Sequence, residues 1–377
     1  SSTSRGLGDV YKRQSNTFFK KMNLYAIWFL VTFGLLLQIS ASSVQGLNQY
    51  DDNFYFIKRH VASLVIGIII FNLVKSVSYK FILKFSNTFI VLITLSLFLV
   101  LAYGVVVGGS RRWIDLGPVY FQPSEFAKPI IILWVAHKLS ELKNEHSHRY
   151  YLQRAILLPI VCCFLIYLEP DYGTTLTILG IFFVQIVFSD IKARYPAAIL
   201  SLSVFPLYLF ANASDYRRQR IETFVTGKCQ EGVDLLGDCF QLNQSWIAIS
   251  SGGLTGLGPG TSRARWGMLP NAYTDFIVSI TGEEYGFIGI LILTIIFLIL
   301  IISFYGMALT TDNSFKKLIL VGLGTWVGLQ TIINLGGAVG LLPITGIVLP
   351  FISYGGTAMV SIFIGLSLAH NETLYNE

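Results

Sequence analysis

The chain has 377 residues, with 27 Lys and Arg against 21 Asp and Glu for a formal net charge of +6; 53% of it is hydrophobic and only 13% is charged. That charged share is about half the usual share of a soluble domain, mean hydropathy is +0.63, and too little polar surface is left to cover a water-facing globule. Two or three soluble domains are excluded, and so is a nucleic-acid binder, because the basic residues form short clusters between apolar runs rather than one stripe.

Residues 1–14 are polar and lack apolar periodicity, so they read as a disordered tail or as sequence foreign to the natural start. Lys20 and Lys21 precede an apolar run at 24–39 that is longer than a signal-peptide core, and an uncleaved first span is expected there. Further runs at 57–74, 87–107, 124–139, 155–168, 174–189, 195–211, 277–304, 318–334 and 353–369 bring the expected spans to ten. Each approaches the roughly 20 residues that cross a bilayer, those at 155 and 174 being short. The fold class is therefore an all-α polytopic membrane protein. Its expected parts are a cytoplasmic tail at 1–21, a single transmembrane domain at 22–370, a large extracytoplasmic loop at 212–276 between helices 7 and 8, and a C-terminal tail at 371–377. Lys75, Lys80, Lys84, Lys138, Lys143, Lys192, Arg194, Lys316 and Lys317 fall on the same side as Lys20 and Lys21, which by the positive-inside rule puts both termini in the cytoplasm.

That orientation gathers the Gly-, Pro-, Arg- and Asp-rich connections on the outer side: 108–123, 169–173, the long loop, and 335–352. Chemistry is expected there, since the inner connections are short basic linkers. Pro123 and Ser124 look like a helix start, after which Glu125 and Lys128 share one face of the fourth span; they either line a polar cavity or form an interfacial ion pair. Arg111 and Arg112 suit an anionic group or anchorage at lipid phosphates. Glu169 and Asp171 stand at another outer edge, where an acid can cap the sixth span.

The run Gly252 to Gly260 permits close backbone approach to an anion but has neither Walker nor Rossmann spacing; Arg263 and Arg265 follow it. Asp275 stands at the threshold of an apolar span. Partial desolvation there suits a general base, and the competing reading is an N-cap. On a continuous helix Glu283 lies about 80° round from Asp275 and roughly 12 Å deeper, with Glu284 on the opposite face. The stretch from Asn334 through Ser353 to Gly356 is too broken for one helix and too apolar for open water, and reads as a re-entrant wall or a packed loop. Cys229 and Cys239 lie close enough in the outer loop for a disulfide, whereas Cys162 and Cys163 read as core packing.

Several motifs occur in a fixed order. They are Arg111-Arg112-Trp113 leading to Phe121-Gln122-Pro123-Ser124-Glu125 with Lys128, Pro170-Asp171-Tyr172-Gly173-Thr174-Thr175, Ser251-Gly252-Gly253-Leu254, Thr274-Asp275-Phe276, Gly282-Glu283-Glu284-Tyr285-Gly286, and Pro350-Phe351-Ile352-Ser353-Tyr354-Gly355-Gly356. On these the chain resembles the SEDS family of bacterial shape, elongation, division and sporulation proteins, over nearly everything after residue 20. Glu169 to Thr175 and Ile280 to Glu284 look closer to the division-type members than to the elongation-type ones.

The resemblance implies a ten-helix peptidoglycan glycosyltransferase of the bacterial cytoplasmic membrane that polymerises lipid II, releases polyprenyl pyrophosphate, and works with a class B penicillin-binding protein and other divisome or elongasome membrane proteins. The family's essential acid maps onto Asp275, expected to take the proton of the acceptor 4-hydroxyl as that oxygen attacks the donor's anomeric carbon. Arg111, Arg112, Lys128, Arg263 and Arg265 are candidates for holding the diphosphate, with Glu125, Glu283 and Ser353 as further substrate-binding candidates. A divalent cation, Mg²⁺ or Mn²⁺, is a candidate cofactor and no organic cofactor is expected. Asn271 and Tyr273 stand where many relatives carry Glu and His, so any role of those two positions does not transfer. The alternatives are a lipid II flippase, an elongation-type polymerase, and a non-enzymatic scaffold for the transpeptidase; a flippase should carry substrate groups near the midplane between repeated halves, and no internal repeat is evident.

Overall fold

The computed structural model describes residues 2–107, 110–117, 119–141, 148–201, 226, 229 and 239–374. Among the described residues the helices are α1 (Ser2–Tyr50), α2 (Tyr55–Ser76), α3 (Tyr79–Tyr103), α4 (Pro123–Ser140), α5 (His148–Leu168), α6 (Tyr172–Val187), α7 (Phe240–Gly252), α8 (Ile277–Thr310), α9 (Ser314–Val339) and α10 (Gly356–Ala369). Residues 194–201 are also helical. Among the described residues five helices are long and apolar enough to cross a membrane: Lys12–Tyr50 of α1, then α2, α3, α8 and α9. Apolar stretches of α5, α6 and α10 are shorter.

Every expected span from the first to the sixth, and from the eighth to the tenth, overlaps one of these helices, the third running past α3 into strand at 105–107; the run at 195–211 is described only to residue 201, and most of the loop before Cys239 lies outside the described residues. Four features depart from the expectation. The N-terminal tail is helical from Ser2, continuous with α1, and is tied down where Asn16 Nδ2 donates to Thr310 Oγ1 at 2.8 Å. The segment after α3 folds as a three-stranded antiparallel sheet of β1 (Val105–Val107), β2 (Ser110–Asp115) and β3 (Tyr120–Phe121), so the chain is not wholly α. The expected long loop contains α7, and α9 runs on to Val339, which leaves the irregular wall at 340–355 only.

Local chemistry sets the ends. Asp171 caps α6 by accepting from Thr174 N, Asn313 caps α9 by accepting from Lys316 N at 3.0 Å, Pro123 opens α4, and Gly340 closes α9 at φ +79. α9 is the most enclosed of the five long helices and packs against α4, α6 and α8; α1 packs on α8 and α2 on α10. Gln185 of α6 donates from Nε2 to Ile132 O and Leu318 O, both at 3.1 Å, tying α4 and α9 together by a hydrogen bond suited to a dry interior.

α8 is broken. Gly286 has φ +68 and ψ −167, a conformation open to glycine, and two amides and two carbonyls flanking the break pair with residues 253–258. Phe287 N donates to Gly253 O at 2.9 Å and Ile288 N to Leu254 O at 3.1 Å, while Leu257 N and Gly258 N donate to Glu283 O and Glu284 O at 3.0 Å each. A Cβ on Gly256 would collide with the Glu284 backbone. The glycine run, whose sequence permits close backbone approach, packs backbone to backbone against this break.

Candidate functional site

Asp275 lies in a turn just before α8, half-buried. The helix's N-cap position falls to Phe276, with no side-chain cap, so the N-cap reading of Asp275 does not hold. The backbone of its turn is held in place. The carbonyls of three successive residues are each held by a different element: Tyr273 O accepts from Gln38 Nε2 of α1 at 2.9 Å, Thr274 O from Ser353 Oγ at 2.5 Å, and Asp275 O from Asn334 Nδ2 of α9 at 2.9 Å. Tyr354 N adds a second bond to Tyr273 O at 3.1 Å. Ser353 is thereby placed as a brace between this turn and the wall at 340–355, with Leu349 N donating to its Oγ at 2.9 Å. The ring of Tyr273 packs on Phe56 of α2 and on Tyr354, and burial, then Tyr354, Tyr50 and Asp275, push its hydroxyl up to about 12.

The wall lies over Asp275 as bare backbone. A Cβ on Gly346 would stand 3.6 Å from Asp275 Oδ2, and one on the neighbouring corner's Gly173 would run into Ile347. The 169–171 corner belongs to Arg112: its guanidinium donates to Glu169 O at 3.4 Å and to Pro170 O, and lies 3.7 Å from Asp171 Oδ1. Asp171 Oδ2 also accepts from Ser124 Oγ at 3.3 Å and Gln122 Nε2 at 3.4 Å. The irregular segments predicted to share one side are therefore linked, from Asp275 through Gly346 and Gly173 to Asp171 and Arg112.

The other named residues divide into anchors and exposed groups. Lys128 is 0% exposed, donates to Glu125 Oε1 at 2.8 Å, and lies 5.2 Å from the Trp326 ring centre; it is a partner for Glu125 inside the bundle rather than a cation facing a diphosphate. Glu125 Oε2 and Trp326 Nε1 are buried without a hydrogen-bond partner, and both residues line a small pocket shared with Leu349 and Ser353. Glu283 holds the loop above it, Oε2 accepting from Ser262 Oγ at 2.5 Å and Ala264 N at 3.2 Å and Oε1 from Arg263 N at 3.0 Å, so it does not share a cavity with Asp275. Glu284, expected on the far face, accepts from Ser40 Oγ of α1 at 2.5 Å. Arg265 donates to Ser40 Oγ at 3.1 Å and to Gly260 O, and belongs to the same anchor. Arg111, with one donor on Leu101 O at 3.1 Å, and Arg263 are the exposed members of the basic set.

Cys229 and Cys239 are joined by a disulfide, and Cys162 and Cys163 are buried free thiols. Among the described residues no three His, Cys, Asp or Glu side chains gather as a group that could hold a metal ion. Gln38 and Asn334 were missed in the sequence. Their signal was there: each is an amide inside an apolar span, where polar side chains need a reason.

The profile described as "Cell cycle protein", covering FtsW, RodA and SpoVE, matches residues 21–375. A probable peptidoglycan glycosyltransferase FtsW of Geobacter sulfurreducens is 32% identical over 88% of this chain and 88% of that protein. Stage V sporulation protein E of Bacillus subtilis is 33% identical over 92% of this chain and 94% of that protein. Among solved structures, rod shape determining protein RodA of Thermus thermophilus is similar at a TM-score of 0.62 and 26% identity, covering 91% of this chain and 94% of that one. A chain of a peptidoglycan synthase complex that coordinates polymerization and crosslinking shares the fold at a TM-score of 0.75 and 24% identity, over 94% of this chain and 98% of that one.

Proposed function

The chain belongs to the FtsW, RodA and SpoVE family of cell cycle proteins, and from that premise we propose that Asp275 is the general base of a peptidoglycan glycosyltransferase that polymerises lipid II at the outer face of the cytoplasmic membrane in cell division. The activity rests on relatives named as peptidoglycan glycosyltransferases at about 30% identity across most of the chain. The assignment of the base rests on one observation above the others: the backbone of the Tyr273–Asp275 turn is clamped from α1, the 340–355 wall and α9, one residue each, and the Asp275 carboxylate lies against bare backbone at Gly346.

In the step, the acceptor's 4-oxygen forms a bond to the anomeric carbon of the donor MurNAc while the bond from that carbon to the diphosphate breaks. The proton goes to the Asp275 carboxylate and the electron pair leaves with polyprenyl pyrophosphate. Arg111 and Arg263, the exposed guanidiniums, are the residues to meet the diphosphate charge. Arg112 shapes the 169–171 corner. Both termini face the cytoplasm, and a class B penicillin-binding protein is the partner that crosslinks the strands.

Purified chain with its transpeptidase partner and lipid II tests this. Asp275→Asn is expected to lower the rate by about 10²–10⁴-fold, the range of a lost general base. Wild-type strands from that variant would sink the assignment; labelled lipid II crossing liposomes without polymer would mark a carrier, and transpeptidase activation alone a scaffold. EDTA against added Mg²⁺ or Mn²⁺ in the same assay tests the divalent cation.

A further inference from the structure

We propose that Asn334 is a positioning residue for the reaction at Asp275, an inference that rests on the base reading above and adds what places that base. Asn334 sits near the end of α9, 5% exposed, and its Nδ2 donates at 2.9 Å to Asp275 O and at 2.7 Å to Ile347 O. The two carbonyls come from opposite walls of the site: one is the base's own backbone, the other is beside Gly346, over which Asp275 Oδ2 lies. A single amide therefore fixes the separation between the carboxylate and the backbone facing it.

The amide's orientation follows from its neighbours. Both partners are carbonyl oxygens, so only the NH₂ side can face them. That leaves Asn334 Oδ1 buried without a partner. Asn is also a poor residue for a helix interior, since its side chain competes for backbone hydrogen bonds. A leucine there would carry neither penalty, but it would leave the carbonyls of Asp275 and Ile347 without this donor. Gln38 and Ser353 hold the carbonyls of Tyr273 and Thr274 and thus set the approach of the turn, whereas Asn334 holds Asp275 itself. Placement at that level matters because a shift of about 1 Å can lower a rate on the order of 100-fold.

The experiment measures lipid II polymerisation by the full chain with its transpeptidase partner, together with KM and thermal melting, for Asn334→Leu and Asn334→Thr. Asn334→Leu is expected to lower kcat by about 10–100-fold with KM within about twofold of wild type, in a protein that melts lower because two carbonyls have lost their donor but stays folded at the assay temperature. Asn334→Thr, which keeps one donor, should fall between the two, and it carries the test if the leucine variant does not fold. A kcat near that of wild type in either folded variant overturns the proposal. So does a fall in melting temperature and a rise in KM that track the rate in both, since that is the signature of packing. Asp275→Asn is run alongside. If it polymerises normally the base reading fails and this one with it; if it is inactive while Asn334→Leu is unimpaired, only the positioning role fails.

Discussion

Glu169 is 1% exposed, with both carboxyl oxygens buried and without a hydrogen-bond partner. Burial, then the nearby Asp171 charge, pushes its carboxyl up to about 9 from an ordinary 4.5, against the opposing pull of Arg112. The folded state thus binds a proton that the unfolded chain has released, so this group favours folding less and less as pH rises from about 4.5 to about 9. Glu169→Gln keeps the shape and removes that dependence. The expected outcome is a melting temperature a few degrees higher at pH 8, little change at pH 5, and a flatter profile between them, read by thermal melting in detergent. An unchanged profile would show that Glu169 is ionised in the fold.

At the scale of elements, the segment 253–264 and the first part of α8 behave as one piece. Glu283 accepts three hydrogen bonds from residues 262–264, and Gly286 allows the break that residues 253–258 close. Glu283→Gln replaces two acceptor oxygens by one, which costs roughly 1–3 kcal/mol for donors left unmet. Amide exchange at 262–266 should speed up while exchange at the end of α10 is unaffected. If Glu283 touched substrate instead, KM would rise without a change in exchange. Gly286→Ala demands φ +68 of a residue that disfavours it and pushes a methyl into the Leu254 and Gly256 backbone, so folded yield should fall sharply.

For the whole molecule, the Glu125–Lys128 pair shows how the bundle is held. Lys128→Ala leaves Glu125 charged and enclosed against α9, at a cost of about 3–5 kcal/mol. Lys128→Met with Glu125→Gln removes both charges and should recover most of the melting temperature lost by the single variant, measured side by side. The spans and the pairing of Glu125 with Lys128 were legible because an apolar run of span length and a spacing of three residues each have one simple consequence. Asp275 stood out as an acid at a span's edge. The partners of its backbone did not, because Gln38, Asn334 and Ser353 come from segments far apart in the chain and meet only through tertiary packing. Nor was the break at Gly286 visible, since one glycine in an apolar run looks the same whether the helix continues or stops. The assignment of Glu283 to the cavity failed for a related reason: helical geometry gave its direction but not the loop already seated on it.

That interruption uncouples two lengths of one rod. A single residue inserted between 287 and 310 would turn everything below by about 100° and leave the carboxylate's bearing untouched. The same insertion between 277 and 285 would rotate the short upper stub beneath a turn that is pinned elsewhere, and glycan synthesis should tolerate the first change far better than the second.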